Sequence, residues 1–555
     1  MACIRSHAGT WTLVVWLGCA GQISLALGDG TPGANIAGLA GAGHPRTNLD
    51  VAPAGLVGGS DWYFNRGLAL ARQGDSESAA DVLREGTRLF PDDGRFPREL
   101  AGVHFKLKQR TEAIRWMRRA LRISPNDAYA NDFLGTVYSL EGDLRSALVH
   151  WNRIGKPRIA EVKRVSDQES AHALMDEACP LQPGTVLSVK TLDACETNLD
   201  WLGPASSHRI VLEPTGDTEF DVEVRYVPRR SGIHSGMDLV PLLSGVPFKM
   251  LRPELLFNNG IRLQSVLRWD PNQRQLEATV SGPLGGSAKA RGTVGLDIRR
   301  ELWSGSRDFR LNAETVDARV SWPISGRTTV WTGFSLQRFK FDVPSEPSSP
   351  SAVPLEDGKF VFSTSGLRRT WLPSTIPGVT FDAASAIDVG ADVGPTTRRL
   401  IRSVSSLEAA WRIPGAWREL EVRSRATAGW LSGEASVCQM FSLGVDQEEA
   451  LQLRGHRGTN DGKKGSGPRG RALALTNLDV SATVHRTRIS RLTAGPFLDL
   501  AHLRAPEGAV DAQPWFVDAG VVARLKLFDG LEIAASFGRD LMSSTDLFHV
   551  SIVGR

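Results

Sequence analysis

The residues of this chain that invite a chemical reading gather in one stretch. Leu453-Arg454-Gly455-His456 heads a Gly-rich basic run, RGTNDGKKGSGPRG (457–470). Phe441-Ser442-Leu443-Gly444 precedes it, and a strand pattern from Ala472 to Val484, containing Asn477-Leu478-Asp479, follows it. An arginine brings a permanent, planar cation, and a glycine beside it lets the backbone approach other groups closely. None of this is catalytic machinery. G-x-S-x-G, H-E-x-x-H and spaced His/Cys clusters are absent. Gly458 to Lys463 departs from a phosphate loop in spacing, has no Ser or Thr after the lysine and precedes no expected helix. Five cysteines without a C-x-x-C pair exclude a disulfide-dense scaffold and give no sign of zinc or thioredoxin chemistry. No catalytic residue, cofactor or metal ligand is expected, and an enzyme is not.

Composition bounds the elements that position these residues. The 555 residues allow two to four domains, and 65 Lys and Arg against 61 Asp and Glu leave a net charge of only +4. That balance argues against a nucleic-acid partner. A hydrophobic fraction of 41% with 23% charged residues excludes wholesale disorder.

Residues 1–28 read as a secretory signal: Arg5 and His7 precede the apolar run Trp11 to Ala20, and small residues close it at Ser24-Leu25-Ala26 or Ala26-Leu27-Gly28. Leu17-Gly18-Cys19 offers a lipoprotein alternative. A Gly/Ala/Pro linker is expected over 29–59.

A shift of 34 residues aligns Ala79, Ala113 and Ala147, then Leu83, Met117 and Trp151, then Pro91 and Pro125. Gly67 and Gly135 stand two periods apart, as do Gly74 and Gly142. These positions resemble tetratricopeptide repeats, three of them over 60–157. Stacked helix pairs of that kind leave a groove for an extended peptide or partner protein, or serve as a plain spacer.

From Arg158 the periodicity changes. RIAEVKRV reads as a strand, DQESAHALMDEA and SVKTLDACETNLDWLG as helices, and His208 to Glu213 with Glu219 to Val227 as a hairpin. Cys179 and Cys195 are either a disulfide of an exported protein or a pair of buried thiols. The element order, with P-G-T-V-L-S before the second helix and L-x-x-L-G behind it, resembles a polypeptide-transport-associated (POTRA) domain over 158–230. Such a domain binds extended segments by strand addition at a sheet edge. Residues 231–257 read as a linker.

Over 258–555 segments of about ten residues alternate with period two between Gly, Pro, Ser and Asp turns. Leu420, Val422, Ala426, Ala428 and Trp430 alternate with Glu421, Arg423, Arg425 and Thr427; Ala519, Val521 and Ala523 alternate with Asp518, Gly520 and Arg524. A closed antiparallel barrel in lipid explains an apolar face backed by a charged one, because the charged face then lines a wet lumen.

The 441–480 stretch resembles the lumen-inserted loop of the outer-membrane POTRA-barrel superfamily, the bacterial surface antigen group of outer-membrane insertases and two-partner secretion transporters. The resemblance implies about 16 strands and a loop tip Arg454, Gly455, His456 folded back inside the barrel. His456 stands where the family has Phe or Tyr. It also implies an acidic partner for the arginine in a Phe-x-Asp phrase, here Phe497-Leu498-Asp499, so that Arg454 and Asp499 form a charge-assisted latch. Five strand candidates follow the loop, as the family requires, and ten precede it where eleven are required.

The expected fold is multidomain: an all-α tetratricopeptide array, a small α+β POTRA-like domain and a C-terminal transmembrane antiparallel β-barrel. The function implied is an outer-membrane protein with periplasmic N-terminal domains that receives unfolded or secreted polypeptide, and assembles it into the membrane or passes it across. Its partners would be that polypeptide, outer-membrane lipid and a periplasmic chaperone or accessory protein in the repeat groove, with no nucleic acid. An exopolysaccharide export porin and a non-catalytic envelope scaffold are the alternatives.

Overall fold

The computed structural model describes residues 59–554 apart from 167–174, 203–206, 228–244, 258–259, 286, 305–307, 326, 344–354, 373–377, 395–397, 414–418, 446–450, 488, 505–513 and 528–530. The expected export signal, and the linker up to residue 58, lie outside the described residues.

Six helices come first, in three helix-turn-helix pairs: α1 (Ser60–Gln73) with α2 (Ser76–Leu89), α3 (Arg95–Lys106) with α4 (Arg110–Ile123), and α5 (Ala128–Leu140) with α6 (Leu144–Trp151). The second, fifth and sixth are started by aspartates, since Asp75, Asp127 and Asp143 accept the N–H groups of Ser78, Ala130 and Ser146. Ala79, Ala113 and Ala147, one period apart, are wholly buried. At Gly135 a Cβ would lie 2.3 Å from the Trp151 indole, so the close crossing of α5 and α6 admits glycine alone.

The next module packs strands β1 (Arg158–Val165), β2 (Ser207–Pro214) and β3 (Glu219–Val227) in the order β1-β3-β2, with β1 parallel and β2 antiparallel to β3. Helix α7 (Val189–Leu202) covers the sheet through Leu192, Cys195 and Leu199, all buried. Most of the helix expected over DQESAHALMDEA lies outside the described residues; its end, 175–178, is helical. Cys179 and Cys195 are joined as a disulfide, with Cα atoms 4.4 Å apart. Met117, Tyr138 and Trp151 of the array share one apolar core with Phe220, Val222 and Leu199, so array and module are packed together directly.

A closed barrel follows. Its strands are β4 (Met250–Leu251), β5 (Glu254–Leu256), β6 (Arg262–Trp269), β7 (Gln273–Leu284), β8 (Ser287–Trp303), β9 (Phe309–Ser325) and β10 (Thr328–Asp342). They continue as β11 (Gly358–Trp371), β12 (Val379–Asp392), β13 (Arg399–Ile413) and β14 (Leu420–Gly433). After a long loop come β19 (Ala472–Arg486), β20 (Ser490–Arg504), β21 (Trp515–Leu527), β22 (Leu531–Asp540) and β23 (Asp546–Gly554). The loop itself holds four two-residue pieces, β15 (Phe441–Ser442), β16 (Thr459–Asn460), β17 (Lys463–Lys464) and β18 (Arg469–Gly470). Two expectations change here. The barrel begins at Met250 inside the expected linker, because β4 and β5 both pair with β6. The described residues also make fifteen staves where about 16 were expected: β4 with β5 as one, nine from β6 to β14, and five from β19 to β23.

The direction of the staves follows from one contact. Arg327, in the β9–β10 turn, is ion-paired with Glu196 and lies 3.6 Å from Asp193, both on α7, so β9 runs toward the N-terminal modules and β10 away from them. From β5 to β10 successive strands pair antiparallel, and β4 pairs antiparallel with β6, so β4 and β5 also run toward the modules. The chain leaves the small module at Val227 yet enters β4 at the opposite rim.

Outside, the barrel presents an apolar band between two rings of tryptophan. Trp322, Trp371 and Trp411 lie where strands approach the near rim, and Trp269, Trp430 and Trp515 at far-rim strand ends; all six are exposed. Between them Val294, Leu296, Val316, Leu336, Val389 and Leu407 point outward and are also exposed. Trp430 is opposite Ser403 on β13, eight residues from Trp411. At ~3.4 Å per residue and a tilt of ~40° this separates the rings by about 20 Å, near the height of a barrel's lipid belt.

Leu407 lies midway between the two rings. If lipid covers the band, Leu407→Arg should cost about 2–4 kcal/mol, whereas a water-facing site would tolerate it within about 0.5 kcal/mol. The folded fraction after reconstitution into liposomes, read by heat-dependent gel mobility, checks this.

Candidate functional site

Since β14 ends at the far rim and β19 begins there, residues 434–471 enter the barrel from the side opposite the helical modules. The loop crosses that mouth. On one side, β16 and β17 form a small hairpin whose Lys464 pairs with Trp303 of β8, while Asn272 in the β6–β7 turn and Gln273 at the start of β7 donate to the carbonyls of Asp461 and Gly462. On the other side, the tip Leu453–His456 meets the inward faces of β19 to β22.

Arg454 carries the tip. Its backbone N–H and Nε donate to Asp499 Oδ2 at 3.0 and 2.9 Å, and Nη2 donates to Oδ1 at 2.5 Å. Nη1 donates to Asp479 Oδ1 at 2.6 Å, and Arg524 takes the other oxygen of Asp479 at the same distance. The guanidinium lies 3.7 Å from the centroid of the Phe497 ring, a cation–π contact. Asn477 donates to Asp499 Oδ1 and to the Gln452 carbonyl, tying the strand to the loop a second time. Arg454 is 4% exposed and Asp499 not at all, so water does little to screen this contact. Phe497, Asp499 and Ala501 face inward because they alternate with Leu498 and Leu500, the latter exposed on the outside.

Glycine makes the approach possible. A Cβ on Gly455 would lie 2.7 Å from Asp518 Cγ and from the Asp540 nitrogen, and one on Gly538 of β22 would lie 2.3 Å from the Arg454 carbonyl. Gly455 N–H donates to Asp518 Oδ2. His456 sits between two strands, Nδ1 3.1 Å from Asp518 Oδ1 and Nε2 3.4 Å from Asp540 Oδ2, its ring edge-on to Phe516.

Of the sequence-derived candidates, Arg454, Gly455, His456 and Asp499 are brought together. Cys179 and Cys195 lie far from them, in the small module. Asp479, Asp518 and Asp540 also belong to the site, and the sequence alone does not mark them as such. The available signal was an acidic residue at an inward position on each of the strands β19, β20, β21 and β22.

Loop and wall leave cavities of about 350 and 470 Å³ beside strands β7 to β10, lined by residues such as Arg299, Glu301, Asp297 and Gln337. At the near rim, Arg145 of α6 pairs with Asp193 of α7, and Arg327 of the barrel with Glu196. Burial there pushes the Glu196 carboxyl above its usual range, with Arg327 opposing.

A tetratricopeptide repeat family model matches residues 64–128. No curated protein matches the chain. Solved structures similar to it include BamA from Haemophilus ducreyi lacking POTRA domains 1–3, at 10% identity and a TM-score of 0.43, over 72% of this chain and 84% of that one. CdiB from Acinetobacter baumannii is 12% identical with a TM-score of 0.49, over 72% and 74%. CdiB from Escherichia coli is 13% identical with a TM-score of 0.48, over 72% and 75%.

Breaking one side of a buried ion pair strands the other charge, at a cost of about 3–5 kcal/mol. Asp499→Asn should therefore free the tip, and trypsin should cut at Arg457 to Lys464 more than tenfold faster in the reconstituted barrel, from about 1.4 kcal/mol per decade. Removing both charges, Arg454→Met with Asp499→Leu, should restore much of the protection. Equal cleavage in wild type and Asp499→Asn would mean that the pair does not hold the loop.

Proposed function

We propose that this protein is an outer-membrane barrel that receives unfolded polypeptide through its N-terminal modules and assembles it into the membrane or passes it across. The observation that carries the reading is the latched loop: a barrel with a lipid-type exterior is closed from the far mouth by a segment fixed through one buried arginine. Closure of that kind suits a channel or wall that opens for a substrate. It suits a permanently open pore poorly. The N-terminal modules stand at the opposite rim, which in this reading is the periplasmic one, where a substrate would arrive.

In this reading the small module acts as a POTRA domain and offers the exposed edge of β1 or β2 to an extended chain. The tetratricopeptide groove recruits the substrate or an accessory protein. No step is chemical, so the barrel works by changing which strands and charges are paired.

Conditional depletion followed by quantitative proteomics of outer membrane and culture medium tests the proposal. Loss of several barrel proteins from the membrane is the result expected of an insertase, and loss of one secreted protein with the membrane intact is that of a dedicated transporter. Unchanged protein profiles with lost extracellular polysaccharide would overturn both in favour of an export porin.

A further inference from the structure

The arginine accounts for only half of the charge around the loop tip. Asp479 and Asp499 are matched by Arg454 and Arg524. Asp518 and Asp540 are not matched in the same way: among the described residues, the ion pairs of both are with His456. A neutral imidazole carries one N–H, yet its two nitrogens each face a carboxylate. Asp518 is wholly buried, and while its Oδ2 takes the Gly455 N–H and lies 3.2 Å from His456 Nδ1, its Oδ1 accepts no hydrogen bond although it points at the ring. A carboxylate oxygen buried without a donor is costly unless a cation meets it.

We propose that His456, Asp518 and Asp540 bind a divalent transition cation, of which Zn²⁺ is the type, and that the ion fastens the loop tip to β21 and β22. One ligand atom from each residue lies within 4.8 Å of the others, so a small inward shift would close the set. One imidazole and two carboxylates make a mixed N/O site that suits zinc or manganese, where an all-oxygen site would favour calcium or magnesium. One ring nitrogen ligates while the other keeps its N–H for a carboxylate oxygen, the usual arrangement for a metal-bound histidine. Two positive charges offset the two carboxylates that the arginines leave. The edge-on contact with Phe516 fixes the ring plane, and His456 retains 18% side-chain exposure, room for ligand water from the lumen. The ion would add β21 and β22 to a tip that Arg454 already ties to β19 and β20. The site stands on geometry alone and does not depend on what the barrel transports.

The full chain in detergent, stripped with chelator and dialysed against Zn²⁺, should retain about one zinc per chain by elemental analysis. Asp540→Asn and His456→Phe should each bind about tenfold more weakly or not at all. The phenyl ring keeps the contact with Phe516, and heat-dependent gel mobility shows that each variant is folded. Zinc should also slow tryptic cleavage of the loop in wild type and leave both variants unchanged. Zinc retention equal in wild type and variants overturns the proposal. So does loop protection that rises in metal-free wild type between pH 7 and 5 and disappears in His456→Phe, since a proton on the ring would then fill the place assigned to the ion.

Discussion

A guanidinium enclosed by carboxylates inside a barrel cannot be left half-paired, and much of this structure answers that constraint. Taking Arg454 from water into a closed interior costs several kcal/mol, which only well-formed hydrogen bonds to opposite charges offset. Three things follow. The carboxylates must be in place, and Asp479 and Asp499 supply them from adjacent strands. The loop backbone must come within reach, which Gly455 and Gly538 permit. The strands must hold their register, because a slip of one residue on β20 would turn Asp499 outward and replace it with leucine.

The same alternation governs the exterior. A strand with charges on its inner face puts apolar residues on the outer one, and those residues form the band between the tryptophan rings. Tryptophan alone serves where tyrosine usually shares the task, in keeping with a chain that has 15 Trp and 4 Tyr. The fall of three tryptophans at each end is a consequence of strand direction. Strands running toward the modules carry Trp322, Trp371 and Trp411 near their ends, and strands meeting the far rim carry Trp269, Trp430 and Trp515.

What could be read from the sequence was whatever is periodic. The 34-residue repeat, the alternating segments and the five strands after the loop needed only local spacing, and the described helices and strands follow them closely. Arg454 and Asp499 were reached through resemblance to a family, since nothing local links residues 45 apart. Asp518 and Asp540 are register partners on the neighbouring strands β21 and β22, but nothing in the local sequence says that the loop tip at His456 reaches them. The start of the barrel was misplaced because Met250–Leu251 and Glu254–Leu256 are short and broken by Pro253, so they show no alternation of useful length. The sequence leaves the Cys179–Cys195 bond open, because burial in a shared core suits free thiols as well as a bridge.

The two ends of the barrel are held by ionic contacts of different strength. At the near rim Arg327 and Glu196 are partly exposed, with Asp193 buried beside them, so water and salt reach the contact more than they reach Arg454 and Asp499. At the far mouth Arg454 and Asp499 are buried and little screened. In the proposed function, a substrate arriving at the near rim meets the weaker contact first. Opening the loop asks for more: the carboxylates of β19 and β20 must find other donors at the moment the arginine leaves. Arg524 already touches Asp479 and Asn477 already touches Asp499, so partial replacements stand in place on the same strands and on β21. If the proposed opening takes place, these donors keep the wall's carboxylates partly satisfied while the tip is away.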